Sequence, residues 1–326
     1  MCGLYGFITK ESNDRDYQIY KILGILTESR GNHATGVYAI KDNESYVAKE
    51  ALAANEFFKI PEYYELIEDI KPNIMIGHNR FATHGSVDDN KNNHPFYNNR
   101  FGFVHNGVVH NGLHFKTKSE CDSERIFVSI MNDTDDIIGS IKESMKYFNS
   151  GSYACILGDS QEGKVYLFKN DKNPLWIFTV KNSETIYWAS TKTIIETTLK
   201  VLDIELNDIR EIKDFNIITI DADLNIEKFK TGIKKYISLV ETKGWQDYKS
   251  NFKYNDFKLS KKVLKQTETK KNEKYFKCEG CGKHYIDEHF YKLHVAKCKV
   301  NSLSFVIDSL TQNNETFVNN VPNLVY

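Results

Sequence analysis

Hydrophobic and polar positions over the first 222 residues change repeatedly between the period of a strand and that of a helix. The segment Gly3–Thr9 is a short apolar run, which is typical of a buried strand. Residues 16–30 then repeat apolar side chains three and four positions apart. This spacing predicts a helix with one buried face, made of Ile19, Ile22, Leu23 and Leu26.

The same reading predicts strands and helices in groups along the remainder of this region. Apolar runs of strand length are TGVYAI, NIMIGHNRF, FGFVHNGVV, YACILGD, KVYLFKN, LWIFTV, TIYWAS and FNIITID. Helical spacing occurs in ERIFVSIM, DIIGSIKESMKYF and TKTIIETTLKVL. Two batches of strands with helices between and after them predict two sheets packed together, with helices on the outside.

Composition adds the class of protein. Apolar residues make up 40% and charged residues 27% of 326, which is ordinary for a soluble globular protein. No apolar run is long enough to span a membrane, and no signal peptide is evident. Six cysteines in a chain of this length do not form a disulfide framework. We therefore expect a cytoplasmic protein with reduced thiols and no membrane partner.

The pattern changes after residue 222, and it divides the chain into four parts. Residues 1–222 form the main domain, and 223–274 form a lysine-rich linker. Residues 275–300 hold a cluster of cysteine and histidine, and 301–326 form a nearly uncharged tail. Nine lysines against three acidic residues in 253–277 give a local charge of +6 within a chain of net charge −1. Such a run favours a solvated linker over a binding site.

Cys2 is the first residue with predicted chemistry. Removal of Met1 would place its thiol and a free α-amine on one residue. A thiol with a pKa of about 8.5 is mostly protonated at neutral pH, and an amine with a pKa of about 7.7–8.0 can accept its proton. One residue would then supply both nucleophile and base. Alone, a cysteine here is explained equally well as structural.

Further motifs follow in a fixed order: GHNRFATHG at 77–85, HPF at 94–96, FVHNG at 103–107 and SECDSE at 119–124. With Cys-Gly at the start, this series resembles the class II glutamine amidotransferases, which are N-terminal-nucleophile (Ntn) hydrolases. The resemblance covers roughly two thirds of the chain, including NPLWI and ASTKTIIE. It implies an α+β fold, a four-layer αββα sandwich of the Ntn-hydrolase type.

The resemblance also assigns roles. Cys2 would attack the side-chain amide of glutamine and form a glutamyl thioester, without a catalytic cofactor. Asn106 and the Gly107 N–H would form the oxyanion hole. The planar guanidinium of Arg80 suits the α-carboxylate of glutamine, and Asp122 suits its ammonium group. The last two predicted substrate-binding residues are Thr83 and His84.

Two departures from the family pattern concern the surroundings of this site. The segment RGNHATG carries His33 and Ala34 where the family has an acid and a serine. Phe81 replaces the tryptophan of the sugar-phosphate branch. These changes bear on the loops around the substrate and leave the nucleophile in place.

The ammonia released would need an acceptor. The residues after 222 contain no Gly-rich phosphate loop and no pyrophosphatase signature. We therefore expect the acceptor to belong to a separate synthase or modifying enzyme.

The C-terminal cluster has the spacing of a structural zinc site. Two cysteines two residues apart are followed, after twelve residues, by a histidine and a cysteine one helical turn apart. The predicted ligands of this small ββα zinc finger are Cys278, Cys281, His294 and Cys298. The positions that would read bases are Asp287, Phe290 and Leu293, and the last two cannot make bidentate contacts with bases. A protein partner is favoured, and nucleic acid, with nucleotide or nucleic-acid modification as the reaction, is the alternative.

Two other functions agree with these motifs. One is an Ntn amidase that acts on another γ-glutamyl amide, which turnover of γ-glutamyl peptides would reveal. The other is a catalytically silent scaffold that binds protein or nucleic acid through its finger. A scaffold has no need of Cys2, Arg80, Asn106, Gly107 and Asp122 together.

Overall fold

The computed structural model describes residues 1–110 and 115–233, and the backbone of two short strands at 276–277 and 284–285. The chain divides into two compact units, Met1–Thr269 and Lys270–Tyr326. The strands described in the first unit are β1 Gly3–Thr9, β2 Ala34–Lys41, β3 Glu44–Glu50, β4 Ile74–Arg80, β5 Phe96–Tyr97, β6 Phe101–Val108, β7 Ser152–Asp159, β8 Lys164–Lys169, β9 Trp176–Val180, β10 Thr185–Ala189, β11 Leu206–Glu211, β12 Asn216–Ile220 and β13 Ile226–Lys230. The α-helices are α1 Asp14–Thr27, α2 Ala54–Phe57, α3 Pro61–Glu65, α4 Ser123–Ile130, α5 Ile137–Tyr147 and α6 Lys192–Val201, with a π turn at Leu66–Ile70 and a 3₁₀ turn at Asn90–Asn92.

The strands form two antiparallel sheets. The first has the order β11-β9-β10-β1-β4-β2-β3, and the second has the order β13-β12-β8-β7-β6-β5. One apolar core joins side chains of β1, β2 and β4 to side chains of β6, β7 and β8, so it lies between the sheets. A second core joins the other face of β6–β8 to α4 and α5. Because α1 and α6 contact each other and strands of the first sheet, the prediction of two packed sheets with outer helices is confirmed.

Helix α1 shows how a local signal and a tertiary contact combine. Asn13 caps it, since its side chain accepts from the Arg15 and Asp16 amides, and the Asp16 carboxylate accepts from the Asn13 N–H. Asp16 is fully buried because it also accepts from Thr185 and Tyr187 on β10. Asp16, the partner of the cap, therefore also ties the helix to the sheet.

The predicted inner face of α1 is only partly correct. Ile19 and Leu23 are buried, but Ile22 and Leu26 are half-buried. The buried positions also include Asp16, Tyr17, Tyr20, Gly24 and Thr27. Gly24 allows the close approach of Phe58, whose ring would collide with a Cβ there. The face is therefore rotated toward tyrosines that a search for aliphatic periodicity does not count.

The second sheet continues beyond the predicted end of the main domain at residue 222. Strand β13 pairs along its whole length with β12, from Asn216↔Lys230 to Ile220↔Ile226. Its side chains are mostly exposed, as befits an edge strand. The described sheet thus includes the first residues that were assigned to the linker.

The second unit is described only in two paired strands, β14 Phe276–Lys277 and β15 His284–Tyr285. The predicted zinc ligands, the tail at 301–326 and residues 234–274 of the predicted linker lie outside the described residues. In the part of the chain that the structure describes, no helix is long and apolar enough to cross a membrane.

Candidate active site

The two sheets bring the predicted catalytic residues to one end of the space between them. Alternate residues of a strand face the same side. Leu4 and Ile8 of β1 lie in the core between the sheets, and so do Ile74 and Ile76 of β4. Strand β1 pairs with β4 in the register Gly3↔Asn79, so the start of β1 meets the end of β4. By the same alternation, Cys2 and Arg80 face the second sheet.

Strand β6 supplies the opposite wall. Val104 lies in the core between the sheets, whereas Phe101 and Phe103 lie in the core against α4 and α5. The alternation then turns Asn106 toward the first sheet and His105 toward α4. A direct bond joins the walls, because Nε2 of His78 on β4 lies 3.1 Å from the His105 carbonyl oxygen.

The Cys2 thiol is half-buried and held by the residue after β4. The Phe81 N–H donates to Sγ at 3.4 Å, and Sγ lies 3.6 Å from the Phe81 carbonyl oxygen. Arg30 donates through Nε to the Cys2 carbonyl oxygen at 2.9 Å. Met1 precedes the cysteine and is exposed. Main-chain and guanidinium contacts thus fix the residue on both sides of its Cα.

The segment RGNHATG, in which His33 and Ala34 depart from the family pattern, contacts the end of β4 through His33. The His33 N–H donates to the Arg80 carbonyl oxygen at 3.0 Å, and Nδ1 of His33 accepts from the Ala82 N–H at 3.1 Å. The imidazole also stacks on Phe81, with ring centroids 4.9 Å apart. Since the Phe81 main chain contacts the thiol, His33 supports the wall beside Cys2.

Arg80 has partners that differ from the predicted substrate carboxylate. Its side chain is buried, and Nη1 donates to the Asn93 side-chain oxygen at 2.8 Å. The remaining bonds go to main-chain carbonyls of Ser86, Gly85 and His84. In this structure Arg80 therefore fastens the loop at 84–86, and its contact with a substrate carboxylate remains a prediction.

Asn93 makes several of the hydrogen bonds that hold this loop, and the sequence motifs did not predict this role. It is fully buried, and its Nδ2 donates to the Val87 carbonyl oxygen at 2.7 Å and to the Asn90 side chain at 2.8 Å. Its own carbonyl accepts from Lys49 Nζ at 2.8 Å. Its place directly before the HPF motif was the available signal.

Asn106 has the environment that an oxyanion donor requires. Its side chain is 1% exposed, and Nδ2 is a buried donor without a hydrogen-bond partner among the described residues. The next residue, Gly107, has φ +148°, which side-chain-bearing residues rarely adopt, and a Cβ there would overlap the Ser152 carbonyl oxygen. A resting protein normally bonds its buried donors, so the open Nδ2 indicates a place for a ligand oxygen.

A hydrogen bond links this strand to Ser123, the residue after Asp122. The His105 Nδ1 lies 2.7 Å from the Ser123 hydroxyl, and Nε2 lies 3.2 Å from the Ser152 carbonyl oxygen. A carbonyl only accepts, so Nε2 carries the proton and Nδ1 accepts from Ser123. Ser123 begins α4 directly after Asp122. His105 therefore locks the start of α4 to β6.

The three remaining predicted substrate residues lie in two environments. Asp122 is buried, and one of its oxygens accepts from the Val109 N–H at 2.7 Å. Its other oxygen lies 3.8 Å from the sulfur of Cys121. Thr83 and His84 are exposed and contact each other at 3.2 Å. Asp122 thus lies inside the fold, whereas the other two lie on the surface loop that Arg80 holds.

Electrostatics around the thiol keep it protonated at rest. Burial raises the pKa of the Cys2 thiol, against the Phe81 hydrogen bond, the chain terminus and Arg80, which lower it. The Asp122 charge raises this pKa further. A protonated thiol needs a base to take its proton before it can act as a nucleophile.

The three buried histidines of the candidate site, which are His78, His94 and His105, are neutral. Burial lowers the pKa of His78 to about 3 and lowers the pKa values of His94 and His105. The His94 ring stacks on His78 at 3.9 Å. Over the described ranges, no cluster of three or more His, Cys, Asp or Glu side chains is arranged to hold a metal ion.

No protein-family model matches the chain. It is 27% identical to a glutamine–fructose-6-phosphate aminotransferase (isomerizing) of Streptococcus agalactiae over 239 residues, which are 69% of this chain and 38% of that protein. It is 29% identical to the enzyme of that name from Staphylococcus aureus, over the same shares of both chains. The chain therefore spans less than half the length of these curated relatives.

Among solved structures, the fold is similar to that of the glutamine phosphoribosylpyrophosphate amidotransferase of B. subtilis. The TM-score is 0.57 at 20% identity, over 72% of this chain and 50% of that one. A structure described as the allosteric regulatory enzyme of purine biosynthesis has a TM-score of 0.56 at 18% identity, with the same coverage. In sequence and in fold, the described domain is thus similar to part of larger glutamine-dependent transferases.

Proposed function

We propose that this chain hydrolyses the side-chain amide of glutamine through Cys2, after removal of Met1, and releases glutamate and ammonia. The observation that carries the proposal is Nδ2 of Asn106, which is buried, has no hydrogen-bond partner among the described residues and faces the sheet whose strand β1 directly follows Cys2. The similarity to glutamine-dependent transferases supports the choice of substrate.

The steps up to the formation of the thioester can each be assigned to residues of the chain. The Cys2 α-amine accepts the thiol proton, directly or through water, and the sulfur attacks the amide carbon. Charge then develops on the amide oxygen, where Nδ2 of Asn106 and the Gly107 N–H stabilise it. The C–N bond breaks, ammonia leaves with the transferred proton, and water cleaves the thioester. Asp122 holds the substrate ammonium, and a rearranged loop at 83–86 lets Arg80 reach the carboxylate.

We propose that the ammonia passes to an acceptor bound by a separate protein. The relatives carry more than half of their length outside the matched region, so they hold further parts that the match does not include. The zinc finger and the lysine run would recruit that protein. Recruitment of nucleic acid is the alternative that a binding assay at physiological salt would decide.

The deciding experiment is mass spectrometry of the purified protein before and after treatment with 6-diazo-5-oxo-norleucine. We expect a chain without Met1, an adduct that maps to Cys2, and release of glutamate from glutamine by the untreated protein. Cys2→Ser is the matched control, and it should remain unlabelled. A processed chain that neither takes the label nor releases glutamate would reject the proposal. Faster turnover of a γ-glutamyl peptide than of glutamine would assign the other substrate class.

A further inference from the structure

Asn173 makes a bond to the predicted oxyanion hole that the proposed chemistry does not yet use. It lies in the loop between β8 and β9 and is 7% exposed. Its Nδ2 donates to the Asn106 carbonyl oxygen at 2.6 Å. The bond joins residues 67 positions apart, and it reaches the peptide unit between the two predicted oxyanion donors.

The planarity of the peptide unit connects this bond to the direction of the Gly107 N–H. The carbonyl of Asn106 and the N–H of Gly107 belong to one planar trans unit and point in opposite directions. Asn106 is opposite Ala154 of β7, so its carbonyl also faces that strand. The Asn173 bond adds to this contact and keeps the Gly107 N–H on the opposite side of the strand. A hydrogen bond accepted by the carbonyl also polarises the unit and strengthens its N–H as a donor.

The sheet leaves that N–H unused by the neighbouring strand. Gly107 is opposite Tyr153 in the register of β6 and β7. The Tyr153 N–H donates to the Asn170 side chain at 3.2 Å, and its carbonyl accepts from the Asn170 N–H at 3.0 Å. Both main-chain groups of Tyr153 thus point away from β6. Gly107 and Tyr153 are a non-hydrogen-bonded pair, in which Gly107 also directs its N–H away from its partner.

The loop that carries Asn173 is itself held firmly. Asn170 is fully buried, and its Nδ2 donates to the Gly151 carbonyl oxygen at 2.8 Å. Leu175 is fully buried, and its carbonyl accepts from the Ile212 N–H at 2.9 Å. A fixed donor can hold a peptide plane in one orientation, which a mobile one cannot.

We propose that Asn173 is a positioning residue that sets the orientation of the Asn106–Gly107 peptide and so keeps the Gly107 N–H aimed at the oxyanion. This inference rests on the proposed glutamine hydrolysis. Asn173 does not contact the substrate. It acts on the transition state alone, so its loss lowers kcat and leaves KM nearly unchanged.

The test compares Asn173→Ala and Asn173→Asp with the wild type, with Asn207→Ala, an exposed asparagine of β11, as the control. Ala removes the donor without adding charge, whereas Asp keeps the shape of the side chain but replaces the donor with a negative charge. We expect kcat for glutamine to fall about 10- to 100-fold in both Asn173 variants, less than or equal to the loss of a whole oxyanion donor. Alkylation of Cys2 by iodoacetamide, which builds no oxyanion, should keep its wild-type rate.

The possible results separate this inference from the proposed function. If the wild type hydrolyses glutamine and Asn173→Ala retains its kcat, the donor has no role and the inference is wrong. An equal fall in iodoacetamide reactivity would show general damage to the site and would also overturn it. If the wild type, freed of Met1, releases no glutamate, the proposed function fails first and the inference fails with it.

Discussion

Two buried asparagines of the candidate site should respond to alanine in opposite ways. Asn106 carries a donor without a partner among the described residues, whereas the side chain of Asn93 makes three hydrogen bonds. The unpaired donor has a desolvation cost of about 1–3 kcal/mol that its removal relieves. The relief offsets the lost packing, so Asn106→Ala should change the free energy of unfolding by less than about 1 kcal/mol.

For Asn93, the three hydrogen bonds predict a large loss in the free energy of unfolding. The bond from the Arg80 guanidinium contributes about 1.5–3 kcal/mol, and each neutral bond contributes about 0.5–1.5 kcal/mol. Their sum is about 2.5–6 kcal/mol. At about 2–4 °C per kcal/mol for a domain of this size, Asn93→Ala should lower Tm by roughly 10 °C. Asn106→Ala should shift Tm by no more than about 4 °C.

Activity should follow the reverse order for kcat. Asn106→Ala removes a donor that acts on the developing oxyanion, so kcat for glutamine should fall about 10²- to 10³-fold. Asn93→Ala loosens the loop that Arg80 holds, so its main effect should be on KM. Thermal melts and release of glutamate, measured on both variants and the wild type, supply the two readings. A Tm loss above about 8 °C in Asn106→Ala, or a kcat within tenfold of the wild type, would refute the assignment.

Acid should destabilise the fold through its buried histidines, and elemental analysis should test the predicted finger. The pKa of His78 is about 3 in the folded protein and about 6.5 in an unfolded chain, so the unfolded state binds the proton first and stability is lost as pH falls from 6.5 toward 3. At pH 5 this costs about 2 kcal/mol for His78 alone, and Tm should be several degrees lower than at pH 7.5; a flat profile would contradict the burial. Because the spacing of Cys278, Cys281, His294 and Cys298 suits zinc, elemental analysis should find one zinc per chain, and Cys281→Ser should lose it without loss of the described fold. A full complement of zinc in Cys281→Ser, or none in the wild type, would remove the metal from the proposal.

The sequence alone was sufficient for features that depend on neighbours in the chain. The strand at Gly3–Thr9 and the sheet segments around GHNRF and FVHNG have the expected limits because their side-chain period is local. Strands β3 and β13 were not predicted. Both lie at sheet edges, where charged side chains face water and the apolar alternation is weak.

The residues of the candidate site were predictable from the sequence, but their contacts were not. The order of motifs was enough to select Cys2, Arg80 and Asn106, because those residues carry recognisable chemistry. Their partners required the tertiary structure. Arg80 donates to oxygens of a loop, and Asn173 reaches across 67 positions to one carbonyl. Asparagine is common in turns, so its type predicts little until folding fixes which donor meets which acceptor. Sequence therefore determined which groups are candidates for the reaction, and the packing of two sheets decided how each one is aimed.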